Sequence, residues 1–111
     1  MVNMDHRDRI CQEIDELRVL SDGSKDSRAP VELDQQSIGR LSRMDAIQQQ
    51  SMDLAREARR RARLAILTAA LRRLDEGEYG YCLSCGDDIS ARRLDIDPAA
   101  TLCIGCQQAQ R

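Results

Sequence analysis

Residues 77–106 read GEYGYCLSCGDDISARRLDIDPAATLCIGC, and this stretch decides the fold. Two Cys-x-x-Cys pairs, Cys82/Cys85 and Cys103/Cys106, stand 17 residues apart. Each pair can place two thiolates on one side of a tight turn. Two such turns facing each other make a tetrahedral cage of four sulfurs. Zn²⁺ prefers that donor set, and the spacing falls in the window of zinc ribbons and fingers. Gly80 and Gly86 flank the first pair and Gly105 sits inside the second. There they are expected to let the backbone turn toward one metal.

Competing readings of the four thiols are weaker. Two disulfides would need an oxidising compartment, and the opening MVNMDHRDRI has no apolar run of the kind a secretory signal requires. A thioredoxin-like redox pair stands alone near a βαβ pattern, which is missing here. Four thiolates leave no open coordination position, so the expected metal is one structural Zn²⁺ that activates no water.

The rest of the chain cannot support a large apolar core. Among 111 residues there is no Phe or Trp, and Tyr79 and Tyr81 are the only aromatics. Ala, Leu, Ile, Arg, Glu and Gln dominate, the vocabulary of helices and coiled coils. A zinc staple compensates for such a thin core. The longest uncharged run near the middle, residues 64–71, is far too short to cross a bilayer. Reduced cysteines and no membrane segment point to a cytoplasmic protein.

Residues 5–20 form a first helix, because Ile10, Ile14, Leu17 and Leu20 recur at helical spacing, with Asp5 as N-cap and Asp8 near the positive end. It is about 24 Å long and needs a partner for its apolar stripe. SDGSKDSRA and Pro30 then read as a polar loop over about residues 21–34. From Gln35 to Glu76 there is no proline, which predicts one long helix stopped by Gly77. Ile38, Leu41, Met52, Ala55, Ala62, Ile66 and Ala69 trace a three–four seam along it, and Leu64, Leu67, Leu71 and Leu74 a second stripe. That second stripe is expected to pack on the zinc module or on the chain's own N-terminal part. Short polar connections favour antiparallel neighbours. The fold class is therefore mainly α: residues 1–76 as an antiparallel helical hairpin of coiled-coil type, whose long second helix leads into a four-cysteine zinc finger with a short C-terminal helix over residues 77–111.

Formal charge is −2, from 17 basic and 19 acidic residues, which gives no general drive toward nucleic acid. The basic excess concentrates in Arg56, Arg59, Arg60, Arg61 and Arg63, which wrap most of the helix. They fit a solvated surface or a contact with phosphates or an acidic protein. Cys11, between Ile10 and Ile14, is expected to be a small packed side chain. His6 reads as solvated, and Tyr81 as packed on the zinc knuckle.

The string Cys82-x2-Cys85-x3-Ile89-x3-Arg93-x4-Pro98-x4-Cys103-x2-Cys106, preceded by Gly77-Glu-Tyr-Gly-Tyr81, resembles the DksA/TraR zinc-finger proteins. The likeness is strongest over residues 77–107 and extends through the hairpin. One small departure is Leu83, where the family carries an acidic or serine residue. The resemblance implies a non-enzymatic regulator that binds bacterial RNA polymerase directly, without binding DNA. Its zinc part would hold the rim of the secondary channel while the hairpin inserts toward the active site. Acidic tip residues would act near the catalytic centre and alter open-complex lifetime.

Carried over residue by residue, the resemblance implies zinc ligation by Cys82, Cys85, Cys103 and Cys106. The family's Asp-x-x-Asp-x-Ala tip has no equivalent string here, which leaves Asp34, Asp45 and Ala46 as tip candidates, Asp45–Ala46 first. Arg59 falls where polymerase-binding members carry a long-helix Arg and is the rim-contact candidate. At the basic places that alarmone-responsive members use, this chain has Asp97, Gln107 and Ile66. A conventional guanosine tetraphosphate site is therefore not expected, since phosphate recognition needs Arg or Lys donors. The chain is expected to act as a monomer. Other readings are a finger that binds nucleic acid through its Arg-rich helix, and a structural protein–protein adaptor. Net acidity, no stacking aromatics on the helix and Asp87, Asp88, Asp95 and Asp97 in the finger weigh against direct nucleic-acid binding.

Overall fold

The computed structural model describes residues 5–25 and 40–110. Its elements are α1 (His6–Gly23), α2 (Arg40–Glu76), α3 (Ala91–Ile96) and α4 (Ile104–Ala109). No strand occurs among the described residues; an isolated antiparallel bridge joins Tyr81 and Asp88. The fold is the mainly helical one expected, an antiparallel hairpin leading into a compact finger. Arg7 on α1 pairs with Asp75 at the far end of α2, at 2.8 Å.

Local chemistry sets the helix ends. Asp5 caps α1 as expected, its Oδ1 accepting from the Asp8 amide at 2.8 Å. α1 runs a turn beyond the expected end at Leu20, through Gly23. The polar Ser21–Ser24 stretch can continue the helix because Ser24 satisfies its last carbonyls. Its amide donates to Leu20 O at 3.1 Å and its hydroxyl to Ser21 O at 3.2 Å. α2, at 37 residues, is about 55 Å long. Its end is a Schellman cap: Gly77 sits at φ 73°, and the Glu78 amide donates to Arg73 O at 2.8 Å. The rest of the expected loop, and the helix start expected at Gln35, lie outside the described residues.

Compactness divides the chain into two units, Met1–Asp15 with Leu64–Arg111, and Glu16–Arg63. In the first, Ile10, Ile14, Leu67 and Ala70 are buried, as expected of a leucine stripe that meets the N-terminal helix. The finger adds its own small core of Cys82, Ile89, Leu94 and Ala100, with Tyr79 and Leu102 against it.

The second unit is built differently. Its only buried side chain among the described residues is a carboxylate, Glu57. Ser21 Oγ donates to Glu57 Oε1 at 2.7 Å, Arg60 Nε to the same oxygen at 3.0 Å, and Arg61 Nε to Oε2 at 3.2 Å. Arg60 Nη2 also donates to Ser24 Oγ at 2.9 Å. A buried charge persists only when its lone pairs are satisfied in this way.

Among the described residues most of the seam expected along α2 faces water, although Ala69 is half-buried. Met52 and Ile66 are each 44% exposed, and Ala55 and Ala62 are also exposed. A straight helix can turn only one face inward. Burial of Leu67 and Ala70 fixes that face in the first unit, and Ile66, about 100° round from Leu67, points away.

Candidate metal centre

Two different local structures bring the four cysteines together. The first pair lies in a turn closed by Gly86 N donating to Cys82 O at 2.9 Å. Gly86 takes φ 79° and Gly80 φ 92°, a left-handed backbone that side chains with a Cβ rarely adopt. The turn is braced by Cys82 N to Asp87 O and Ile89 N to Gly80 O, both 2.7 Å. The second pair needs no such turn. Cys103 is the N-cap of α4 and Cys106 follows three residues later on the same helix face, so Gly105 is an ordinary helical residue. Leu83 N donates to Thr101 O at 2.8 Å and ties the first knuckle to the segment ahead of the second.

All four Sγ atoms lie within 4.8 Å of one another, and Cys85 and Cys103 Sγ are 3.8 Å apart. Zinc–sulfur bonds of about 2.3 Å in a tetrahedron require sulfur separations of roughly 3.8 Å. The cage fits the ion. Without metal, the sulfurs compete for protons. The Cys103 amide, helped by those of Cys85 and Ser84, holds the Cys82 thiol down to about 6. The Asp87 amide also pulls Cys85 down, but hydrogen bonds among the crowded sulfurs and desolvation push it up to about 12. The same crowding, Cys103 first, raises Cys106. A divalent cation relieves this crowding by binding all four as thiolates.

Residues to which the sequence alone gave no supporting role brace the cage. Arg93 Nε donates to Leu102 O at 2.7 Å, fixing the chain just before Cys103. Tyr79, not Tyr81, is the packed tyrosine: its hydroxyl donates to Pro98 O, and burial raises its pKa. Tyr81 is 47% exposed because its neighbours alternate across the bridge with Asp88, which turns it outward. His6 is not merely solvated. Its ring lies 5.5 Å from that of Tyr79, and Nε2 is 3.4 Å from Asp95 Oδ1. Cys11 is exposed and not packed, since Ile10 and Ile14 occupy the inward face of α1. Only the presence of two tyrosines near the first pair hinted at Tyr79; nothing in the string marked His6.

The remaining described candidates belong to the second unit. Asp45 is exposed in the second described turn of α2, Ala46 is half-buried beside it, and Arg59 is exposed. Asp34 lies outside the described residues. No described helix is long and apolar enough to cross a membrane.

Fold and cage define a mainly helical protein built on a four-cysteine zinc finger. The prokaryotic dksA/traR C4-type zinc finger matches residues 77–110. Residues 77–110 are thus a C4-type finger of the dksA/traR kind, and its four cysteines hold one structural zinc ion. The RNA polymerase-binding transcription factor DksA of Haemophilus influenzae is 40% identical over 57 residues, which make up 51% of this chain and 39% of that protein. Its namesake in Escherichia coli K12 is 37% identical over 57 residues, or 38% of its length. The matched part thus spans well under half of these relatives. The structure of transcription factor DksA2 from Pseudomonas aeruginosa matches with a TM-score of 0.77 at 28% identity, covering 95% of this chain and 79% of that one.

Proposed function

We propose that this protein is a cytoplasmic, non-enzymatic regulator that binds bacterial RNA polymerase directly and modulates initiation without binding DNA. The observation that carries this reading is the structural likeness to DksA2 across 95% of the chain, far beyond the finger alone. The curated relatives are named for polymerase binding. In this reading residues 77–111 are the zinc-fixed base that sits at the rim of the secondary channel. The hairpin reaches inward, Arg59 contacts the rim, and Asp45, with Ala46 and Asp34 as further tip candidates, acts near the catalytic centre.

Footprinting on core polymerase, with duplex DNA as competitor, tests the proposal. Protection of the secondary-channel rim is expected; retention on DNA without polymerase binding would overturn the reading. Asp45→Ala should lose the transcriptional effect and keep polymerase binding, whereas Arg59→Ala should weaken binding by about tenfold. Activity surviving in Asp45→Ala would remove it from the tip.

The alarmone is expected to add little. Asp97 has its carboxylate accepting from the Ala99 amide at 3.1 Å, so an acid is fixed where responsive members place a cation. It borders a surface depression of about 400 Å³ with Arg92, Arg93 and Ile96, and Arg93 already donates to Leu102 O. In a transcription assay, guanosine tetraphosphate should leave the effect of this protein essentially unchanged, and strong potentiation would contradict the assignment.

A further inference from the structure

The inward positions of α2 change chemistry between the two units. In the first unit Leu64, Leu67, Leu71 and Leu74 are at least half-buried at three–four spacing. In the second the positions at that spacing are Arg43, Ala46, Gln50, Asp53, Glu57 and Arg60, and all but Ala46 are polar. α1 changes in the same sense: its inward residues Ile10, Ile14 and Leu17 are followed by Ser21 and Ser24. Paired helices normally keep such seam positions apolar, and polar residues there fix the register at a cost in stability. We propose that the second unit opens and closes as a segment of its own, with Glu57 as its clasp, while the zinc-bearing first unit stays folded.

Glu57 is 6% exposed. Its carboxylate accepts from Ser21 of α1 at 2.7 Å and from Arg60 and Arg61 of its own helix at 3.0 and 3.2 Å. Arg60 also donates to Ser24 of α1 at 2.9 Å. Hydrogen bonds thus cross the seam through Glu57 itself and through the arginine that Glu57 holds. One turn earlier Asp53 accepts from Gln49 at 3.2 Å and Arg56 at 2.9 Å, both on its own helix, so those bonds do not tie α1 to α2.

Water treats the two units differently when they open. Exposing Ile10, Ile14 and Leu67 forfeits the whole hydrophobic gain of their burial. Glu57, Arg60, Ser21 and Ser24 are hydrated well in the open state, because desolvating charged groups offsets most of what their attraction supplies. Closure is therefore weakly favoured in the second unit, and its opening lies below global unfolding in free energy. The same chemistry makes Glu57 decisive. Truncating it leaves Ser21 and both arginines without the acceptor they share, a loss that falls on the closed state.

One consequence rests on the polymerase reading. Asp45 lies on the segment that opens, so Glu57 is a positioning residue that acts through it. Glu57→Ala should then lose most of the transcriptional effect, and an apolar seam that keeps the segment closed should restore it.

Hydrogen exchange of the zinc-loaded full chain, without polymerase, tests the segment separately from that reading. Amides of residues 46–60 should exchange at least about tenfold faster than those of residues 67–74. Glu57→Ala should speed the first group by about a further tenfold and leave the second within about twofold. Alanine is the better helix former, so helix propensity cannot produce that acceleration. Ser21→Ala, Glu57→Leu and Arg60→Leu combined make the seam apolar and should slow residues 46–60 below the wild-type rate. Equal acceleration of both groups by Glu57→Ala would show that the units open together and overturn the inference. Unchanged exchange in that variant would remove Glu57 as the clasp, and an apolar seam exchanging as fast as wild type would show that polarity does not set the opening.

Discussion

Cys82→Ser is expected to release zinc and unfold the finger while leaving the long helices standing. Cys82 is both ligand and core: it is 3% exposed and packs with Ile89, Leu94 and Ala100. Structural zinc in small modules contributes about 10–16 kcal/mol, several times what so few apolar side chains can supply. α3 and α4 are six residues each, too short to be helical unaided. Removing metal should therefore cost both helices together with the Arg93–Leu102 and Tyr79–Pro98 ties. Metal analysis should find one zinc per wild-type chain and almost none in the variant. Near-ultraviolet circular dichroism should lose the Tyr79 signal, and far-ultraviolet ellipticity should fall by no more than these twelve residues and the nearby helix ends. An unchanged Tyr79 signal in the metal-free chain would show that the finger folds without its ion.

That sensitivity explains why the finger could be read from its string. Metal ligation demands particular atoms at particular separations, so Cys82, Cys85, Cys103 and Cys106 carry their geometry in their spacing. The caps were legible for the same reason: Asp5 and Gly77 each do something few other residues can. The supporting contacts were not. His6 meets Asp95 across 89 residues of sequence, and no local rule anticipates a contact of that separation.

The hairpin was legible as helices but not as faces. Apolar residues fall on both sides of α2, so periodicity offered two stripes and no means of ranking them along the whole length. Volume decided it. Leucines at 64, 67, 71 and 74 fill more space beside Ile10 and Ile14 than the alanines of the other seam would. In the second unit Glu57 and Arg60 turn inward, where the polar cluster with Ser21 and Ser24 makes their burial tolerable. A sequence rule that assigns charged residues to the solvent face fails at such a cluster.

Adjacent positions on α2 provide the sharpest check of this assignment. Leu67 and Ile10 are the largest fully buried side chains. Leu67→Ala should lower unfolding free energy by about 2–5 kcal/mol, from lost transfer energy and the cavity left behind. For a chain of this length total stability is on the order of 5–15 kcal/mol, so one truncation removes a large fraction of it. Ile66→Ala removes a side chain of similar size one residue away, yet Ile66 is 44% exposed and alanine is the better helix former. Its effect should stay within about 0.5 kcal/mol of zero. Urea unfolding of the zinc-loaded protein, followed by helical ellipticity, measures both. Equal losses at the two positions would mean that α2 is rotated from the face described. A large loss at Leu67 alone fixes the inward face of α2 in the first unit.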